Sequence, residues 1–126
     1  MKKLIICVDD ERIVLNSLQT VLHRNLGKGY DLEFLESSQE VLEVIQEYES
    51  HGSHEIVVII SDWLMPEIKG DELLAKIKSS YPDIKGIILS GQADPKVIRE
   101  AIQKSYVDHF IQKPWEEKEL IDCILE

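Results

Sequence analysis

Five short apolar runs, separated by longer stretches of helical spacing, constrain this chain more than any other feature. The runs are Leu4–Val8, Leu32–Leu35, Ile56–Ile60, Gly86–Leu89 and Val107–Ile111. The first, third and fourth are apolar nearly throughout, the pattern of strands covered on both faces of a parallel sheet. Between the runs, apolar side chains recur every three or four residues, as on one face of a helix. One such stripe is Ile13, Val14, Leu18, Val21 and Leu22, and a second is Val41, Leu42, Ile45 and Tyr48. Leu73, Leu74 and Ile77 form a third, Val97, Ile98, Ala101 and Ile102 a fourth, and Leu120, Ile121 and Ile124 a fifth.

Punctuation agrees with five strands alternating with five helices. Gly27 and Gly29 follow the first helical stretch, as helix-ending glycines do. Ser37 with Glu40 three residues later has the spacing of a capping box for the second. Tyr81-Pro82-Asp83 ends the third, and Asp94-Pro95 reads as an N-cap followed by proline at the first helical position of the fourth. Right-handed crossovers then give a parallel sheet with helices on both faces. At 126 residues there is room for one domain and not two, so residues 1–126 are expected to form a single α/β unit. Its expected architecture is flavodoxin-like and doubly wound, with strand order 2-1-3-4-5. Ligands in such sheets bind beyond the carboxyl ends of the strands, near the switch point.

Charge narrows the classes of partner. The 14 basic and 24 acidic side chains give a net charge of −10. That argues against direct nucleic-acid binding, which needs clustered Lys and Arg, and against docking on anionic lipid. Met1-Lys2-Lys3 leads into only Leu4–Val8 before an acidic run, too short for a secretory signal, and no apolar run approaches a membrane span. Cys7 and Cys123 lie in apolar stretches near opposite ends of the chain. Two buried free thiols are the expectation, with a disulfide as the alternative. A reducing, cytoplasmic setting follows.

The ends of the strands carry the chemistry. The first runs into Asp9-Asp10-Glu11, and the third, Ile56–Ser61, ends in Asp62. An acidic helix start would explain the first cluster alone. With strands one and three adjacent, however, Asp62 faces Asp9 and Asp10 across the switch point. Converging carboxylates raise one another's pKa and call for a cation, and a set of oxygen ligands suits Mg²⁺. The fourth strand ends in Ser90-Gly91 and the fifth in Lys113-Pro114. A carboxylate, a hard cation, a hydroxyl and an ammonium are what holding a phosphoryl group on an aspartate requires.

Val8-Asp9-Asp10-Glu11, Ile59-Ile60-Ser61-Asp62-Trp63-Leu64-Met65-Pro66 with Gly70, Ile88-Leu89-Ser90-Gly91 and Phe110-Ile111-Gln112-Lys113-Pro114 together resemble the response-regulator receiver family of two-component signalling, including its chemotaxis members. The resemblance spans essentially the whole chain. It implies that Asp62 is the phosphoacceptor and that a histidine kinase or phosphotransfer protein is the donor. It implies that Asp10, Asp62 and the Leu64 carbonyl ligate Mg²⁺ directly, with Asp9 acting mainly through water. Ser90 is expected to hydrogen-bond the phosphoryl group, Lys113 to pair with it or with Asp62, and the Lys113-Pro114 peptide to be cis. Ser90 and Phe110 are the implied switch pair. The family often has tyrosine where Phe110 stands, so a switch through a phenolic hydroxyl is unavailable here. Leu64 and Gln92 occupy the positions that tune hydrolysis in the family. Leu64 cannot orient a water, whereas the Gln92 amide could, and a phosphorylated state lasting minutes or longer is the expectation. Many receivers pair through their fourth helix, fifth strand and fifth helix, and a homodimer of that kind is open to this chain.

Other residues carry less. Trp63 is expected at the rim of the site and Trp115 against the start of the last helix. His51 and His54 are expected in a solvated loop, and His109 near the output face. The acidic run Glu36–Glu49 reads as the solvated side of the second helix. Two alternatives compete with a phosphoacceptor. A pseudo-receiver would serve only as an interaction module, though such domains usually lose part of the set found intact here. A haloacid-dehalogenase-type phosphatase would want an Asp-x-Asp motif on strand one, which is absent. A flavodoxin is disfavoured because three acids stand where a phosphate cradle is needed.

Overall fold

A computed structural model describes the chain except for Gln92, Ala93, Ser105 and the side chain of Ala101. Its elements run β1 (Lys2–Val8), α1 (Arg12–Leu26), β2 (Tyr30–Leu35), α2 (Ser38–His51), β3 (His54–Asp62), α3 (Gly70–Ser80), β4 (Lys85–Ser90), α4 (Pro95–Gln103), β5 (His109–Gln112) and α5 (Glu117–Leu125). The five strands are parallel, in the order β2-β1-β3-β4-β5, as the alternation predicts.

Two cores sandwich the sheet. On one face Val41 and Ile45 of α2 and Leu73, Leu74 and Ile77 of α3 pack on Leu4, Ile6, Val8, Ile59 and Ile88. On the other, Leu15, Leu18, Leu22 and Leu26 of α1 and Leu120 and Ile124 of α5 pack on Ile5, Cys7, Val58, Ile60, Ile87 and Leu89. Each such side chain fully withdrawn from water contributes about 1.5–3 kcal/mol before conformational entropy is counted.

Strand β3 breaks strict alternation. Its register against β1 shifts between Leu4 and Ile5, which pair with Ile56 and Val58 and leave Val57 over. This bulge puts Val57 and Val58 toward the same core and Ile56 and Ile59 toward the other. Side chains alternate along a strand, so one extra residue inverts the phase of everything after it. Asp62 therefore shares the phase of Val58 and Ile60.

The caps match their sequence signals in part. Ser37 Oγ accepts from the Glu40 N–H at 3.3 Å, but the Glu40 carboxylate takes the Ser37 hydroxyl at 3.3 Å, so only the N-cap half of the box forms. Asp94 caps α4 through the Lys96 N–H at 2.8 Å. Gly52 closes α2 at φ 67°, a left-handed turn that glycine enters without a Cβ clash.

Several expectations need correction. Ile13 does not join the α1 stripe. It is 73% exposed, because α1 begins at Arg12 and the buried face is Leu15, Leu18, Leu22 and Leu26. His51 ends α2 and His54 opens β3, so the histidines are not in a solvated loop. His54 Nε2 lies 2.6 Å from Asp31 Oδ2, with only 17% of its side chain exposed. Val107 is buried in the connection before β5 rather than within it. Both cysteines are free, Cys7 fully buried and Cys123 half-buried. Of the fourth stripe, Val97 and Ile98 are half-buried and Ile102 is exposed, whereas Ala101 lies outside the described side chains. No helix among the described residues is long and apolar enough to cross a membrane.

Candidate functional site

The carboxyl ends of β1, β3, β4 and β5 bring together residues far apart in sequence. Because Val8 pairs with Ser61, the next residues, Asp9 and Asp62, leave the sheet side by side. Asp9 is fully buried, Asp62 is 8% exposed and Ser90 is 4% exposed, while Asp10 projects into solvent. One carboxylate oxygen from each of Asp9, Asp10 and Asp62 lies within 4.8 Å of the others. That spacing and an all-oxygen donor set suit a hard divalent cation such as Mg²⁺.

Lys113 is the counter-charge. Its Nζ donates to Asp62 Oδ1 at 2.9 Å and to Asp9 Oδ2 at 3.2 Å. The Lys113 N–H donates to the Ser90 carbonyl at 2.8 Å, which ties the end of β5 to the end of β4. The Lys113-Pro114 peptide is cis. Asp9 Oδ1 accepts from the Glu11 N–H at 2.8 Å.

Burial pushes the Asp9 carboxyl up, and the charge of Asp62 adds to that. The Glu11 N–H and Lys113 oppose the rise without cancelling it. For Lys113, burial works toward a lower pKa, but the hydrogen bond to Asp62 and the two carboxylate charges outweigh it and hold the ammonium above its ordinary range. At the site two buried carboxylates therefore share one ammonium, which offsets only part of the charge of the three-aspartate cluster.

Around this centre, Trp63 is tied down at both backbone atoms. Its N–H donates to the Leu89 carbonyl at 3.0 Å and its carbonyl accepts from the Gly70 N–H at 2.7 Å. A Cβ on Gly70 would stand 2.3 Å from the Asp62 carbonyl oxygen and 2.9 Å from Ile88 Cδ1, so only glycine lets α3 start this close to the acceptor strand. Trp63 is not at the rim. It is half-buried against the core and meets Phe110 edge to face, centroids 6.1 Å apart at 79°. Its indole Nε1 is buried and has no acceptor among the described residues. Leu64 leaves its side chain 59% exposed beside the site. Gln92 lies outside the described residues. Trp115 packs on the α1–α5 core as expected.

Sequence reasoning located every charged member of this cluster but missed the seating of Trp63 and the need for Gly70. The signal for Trp63 was its position one residue after Asp62, and Gly70 stood in the receiver-like motif without a steric reason to explain it.

Comparison with known proteins points the same way. Residues 5–125 match the family described as the response regulator receiver domain. The chain is 31% identical over 124 residues to the chemotaxis protein CheY of Listeria monocytogenes, covering 98% of this chain and 96% of that protein. It is 29% identical over 123 residues to the uncharacterized transcriptional regulatory protein YesN of Bacillus subtilis, covering 97% of this chain but 31% of that protein. Its share of several further relatives is 10% to 52%. Among solved structures, the signal receiver domain of an HD domain-containing protein from Pseudomonas fluorescens superposes with a TM-score of 0.82 at 29% identity, covering 99% of this chain and 93% of that one.

Proposed function

The chain belongs to the response regulator receiver family, and on that premise we propose that it is a phosphoacceptor switch with Asp62 as its acceptor. The supporting observation is the placement of Asp62: 8% exposed, 2.9 Å from Lys113 Nζ, and in one oxygen cluster with Asp9 and Asp10. In this reading an Asp62 carboxylate oxygen attacks the phosphorus of a phosphohistidine on a histidine kinase or phosphotransfer protein. The P–N bond breaks, and the donor imidazole keeps the electron pair and takes a proton. Asp10, Asp62 and the Leu64 carbonyl would hold Mg²⁺ directly and Asp9 mainly through water, and the ion would offset charge on the phosphoryl oxygens. Lys113 turns from the Asp62 carboxylate to the phosphoryl group, and Ser90 hydrogen-bonds it. Residues 1–126 act as one receiver unit that catalyses its own phosphorylation and dephosphorylation.

Output is read at the face of α4, β5 and α5, by a partner or by a second copy of the chain. Ile102 and Tyr106, 44% and 39% exposed, supply apolar contact area there. Ser90 and Phe110 set its state, and hydrolysis is tuned at Leu64, which cannot orient a water, and at Gln92. The free thiols Cys7 and Cys123 fit a reducing, cytoplasmic setting.

Incubation with a small acyl phosphate and Mg²⁺ should add about 80 Da to the intact mass, the weight of one phosphoryl group. Asp62→Asn or a chelator should abolish the adduct. Absence of the adduct from the unaltered protein would support a pseudo-receiver instead, and turnover of unrelated phosphate esters a hydrolase.

A further inference from the structure

Trp63 follows the acceptor directly, and its attachments reach three other elements. Its backbone is clamped between Leu89, one residue before Ser90, and Gly70 at the start of α3. Its ring lies edge to face on Phe110 of β5, and both rings pack against the same hydrophobic cluster. With the main chain held on both sides, the position of the indole on Phe110 is fixed by the end of β4 and the start of α3.

Phe110 has somewhere to go. Together with Ser90, Pro95 and Ile98 it lines a cavity of about 250 Å³ beneath α4. Phenylalanine has no hydroxyl to anchor it, so packing alone decides where the ring rests. Close-packed interiors favour discrete arrangements over gradual deformation. In this structure the ring rests on Trp63 and borders that space at once, so a small change in its seat alters what fills the space under α4.

We propose that Trp63 is a positioning residue that seats Phe110, and that this aromatic pair carries the change at Asp62 to β5 and the α4 face. The proposal rests on Asp62 being the phosphoacceptor, and it adds that Phe110 answers the acceptor through the indole. The Trp63 side chain is not required for transfer itself.

The chain has two phenylalanines, Phe34 and Phe110, so fluorophenylalanine labelling yields two fluorine NMR resonances, and Phe34 on β2 reports the integrity of the fold. In the unaltered protein, acyl phosphate with Mg²⁺ should shift the Phe110 resonance as the mass adduct forms. In Trp63→Met the adduct should still form while the Phe110 shift is lost, and Trp63→Tyr, which keeps two phenylalanines, should restore the shift. An undiminished shift in Trp63→Met overturns the proposal. So does an adduct without a shift in the unaltered protein, or loss of the adduct in a folded Trp63→Met. Should the Phe34 resonance show that Trp63→Met does not fold, the reciprocal measurement decides. In a Trp115→Phe background Trp63 is the sole indole, and Phe110→Leu should remove most of its emission response to adduct formation; an unchanged response overturns the proposal. Mass is read separately throughout. A missing adduct in the unaltered protein therefore sinks the phosphoacceptor reading itself and is told apart from a failed relay.

Discussion

Asp9 and Asp62 are withdrawn from water, with side chains 1% and 10% exposed, and both lean on the Lys113 ammonium. Removing one partner of a buried pair leaves the others charged and uncompensated. Lys113→Ala is therefore expected to lower stability by about 2–3 kcal/mol in chelator, below the ~3–5 kcal/mol of a fully buried pair because Lys113 keeps 18% of its side chain exposed. Urea unfolding measures this, and added Mg²⁺ should return part of the loss by supplying another cation. The Lys113 pKa is raised in the fold. Its pairing is then complete below the unfolded lysine value of about 10.4 and disappears only as pH climbs through the higher folded value. The residues of this cluster were legible in the sequence because four polar strand ends that the topology brings to one rim carry them jointly, although each alone has an ordinary explanation. Trp63 and Phe110 were less so, since an aromatic beside an apolar run reads as ordinary core.

At the scale of elements, the start of α3 and the base of the sheet each depend on one close contact. Gly70→Ala would drive a Cβ to 2.3 Å from the Asp62 carbonyl oxygen, so the helix must retreat. We expect a cost of about 1–3 kcal/mol, typical of overpacking, seen as a lower melting temperature together with slower adduct formation. At the opposite end, His54 of β3 holds Asp31 of β2 across β1, with Lys2 3.9 Å from the same carboxylate. His54 Nδ1 meets Ser53 Oγ at 2.9 Å, and the His54 ring stands edge-on to Tyr48, whose hydroxyl donates to Glu33 at 3.1 Å. The hydrogen bond from His54 chiefly holds the Asp31 carboxyl below its usual range, with Lys2 assisting against slight burial. A depressed carboxyl stabilises the fold above its unfolded value and ceases to as pH falls through the folded one. The stability gap between wild type and His54→Phe, from urea midpoints across pH, should thus be full at about pH 5 and close below about 3.9. A histidine between Ser and Glu before an apolar run gave no hint of this clasp, because its partner Asp31 lies in another strand.

Across the whole molecule, packing is uneven. Strands β1, β3 and β4 are covered on both faces, whereas α4 has no fully buried side chain among its described residues. Local opening follows the number of apolar contacts that must be broken. Amide hydrogen exchange in α4 should therefore be orders of magnitude faster than in the central strands, which should exchange only through global unfolding. Equal protection would show that α4 is bound into the core more tightly than its burial indicates. The sequence by itself determined the alternation of elements, the parallel sheet and the place of Asp9, Asp10, Asp62, Ser90 and Lys113 at the ends of strands, because periodicity and the polar residue that ends an apolar run are local properties of the chain. Tertiary structure alone decided the bulge at Val57 that aims Asp62 beside Asp9, the exposure of Ile13, and the seating of Phe110 on Trp63. Each of these depends on how one element meets another in space, and no spacing within a single segment records that.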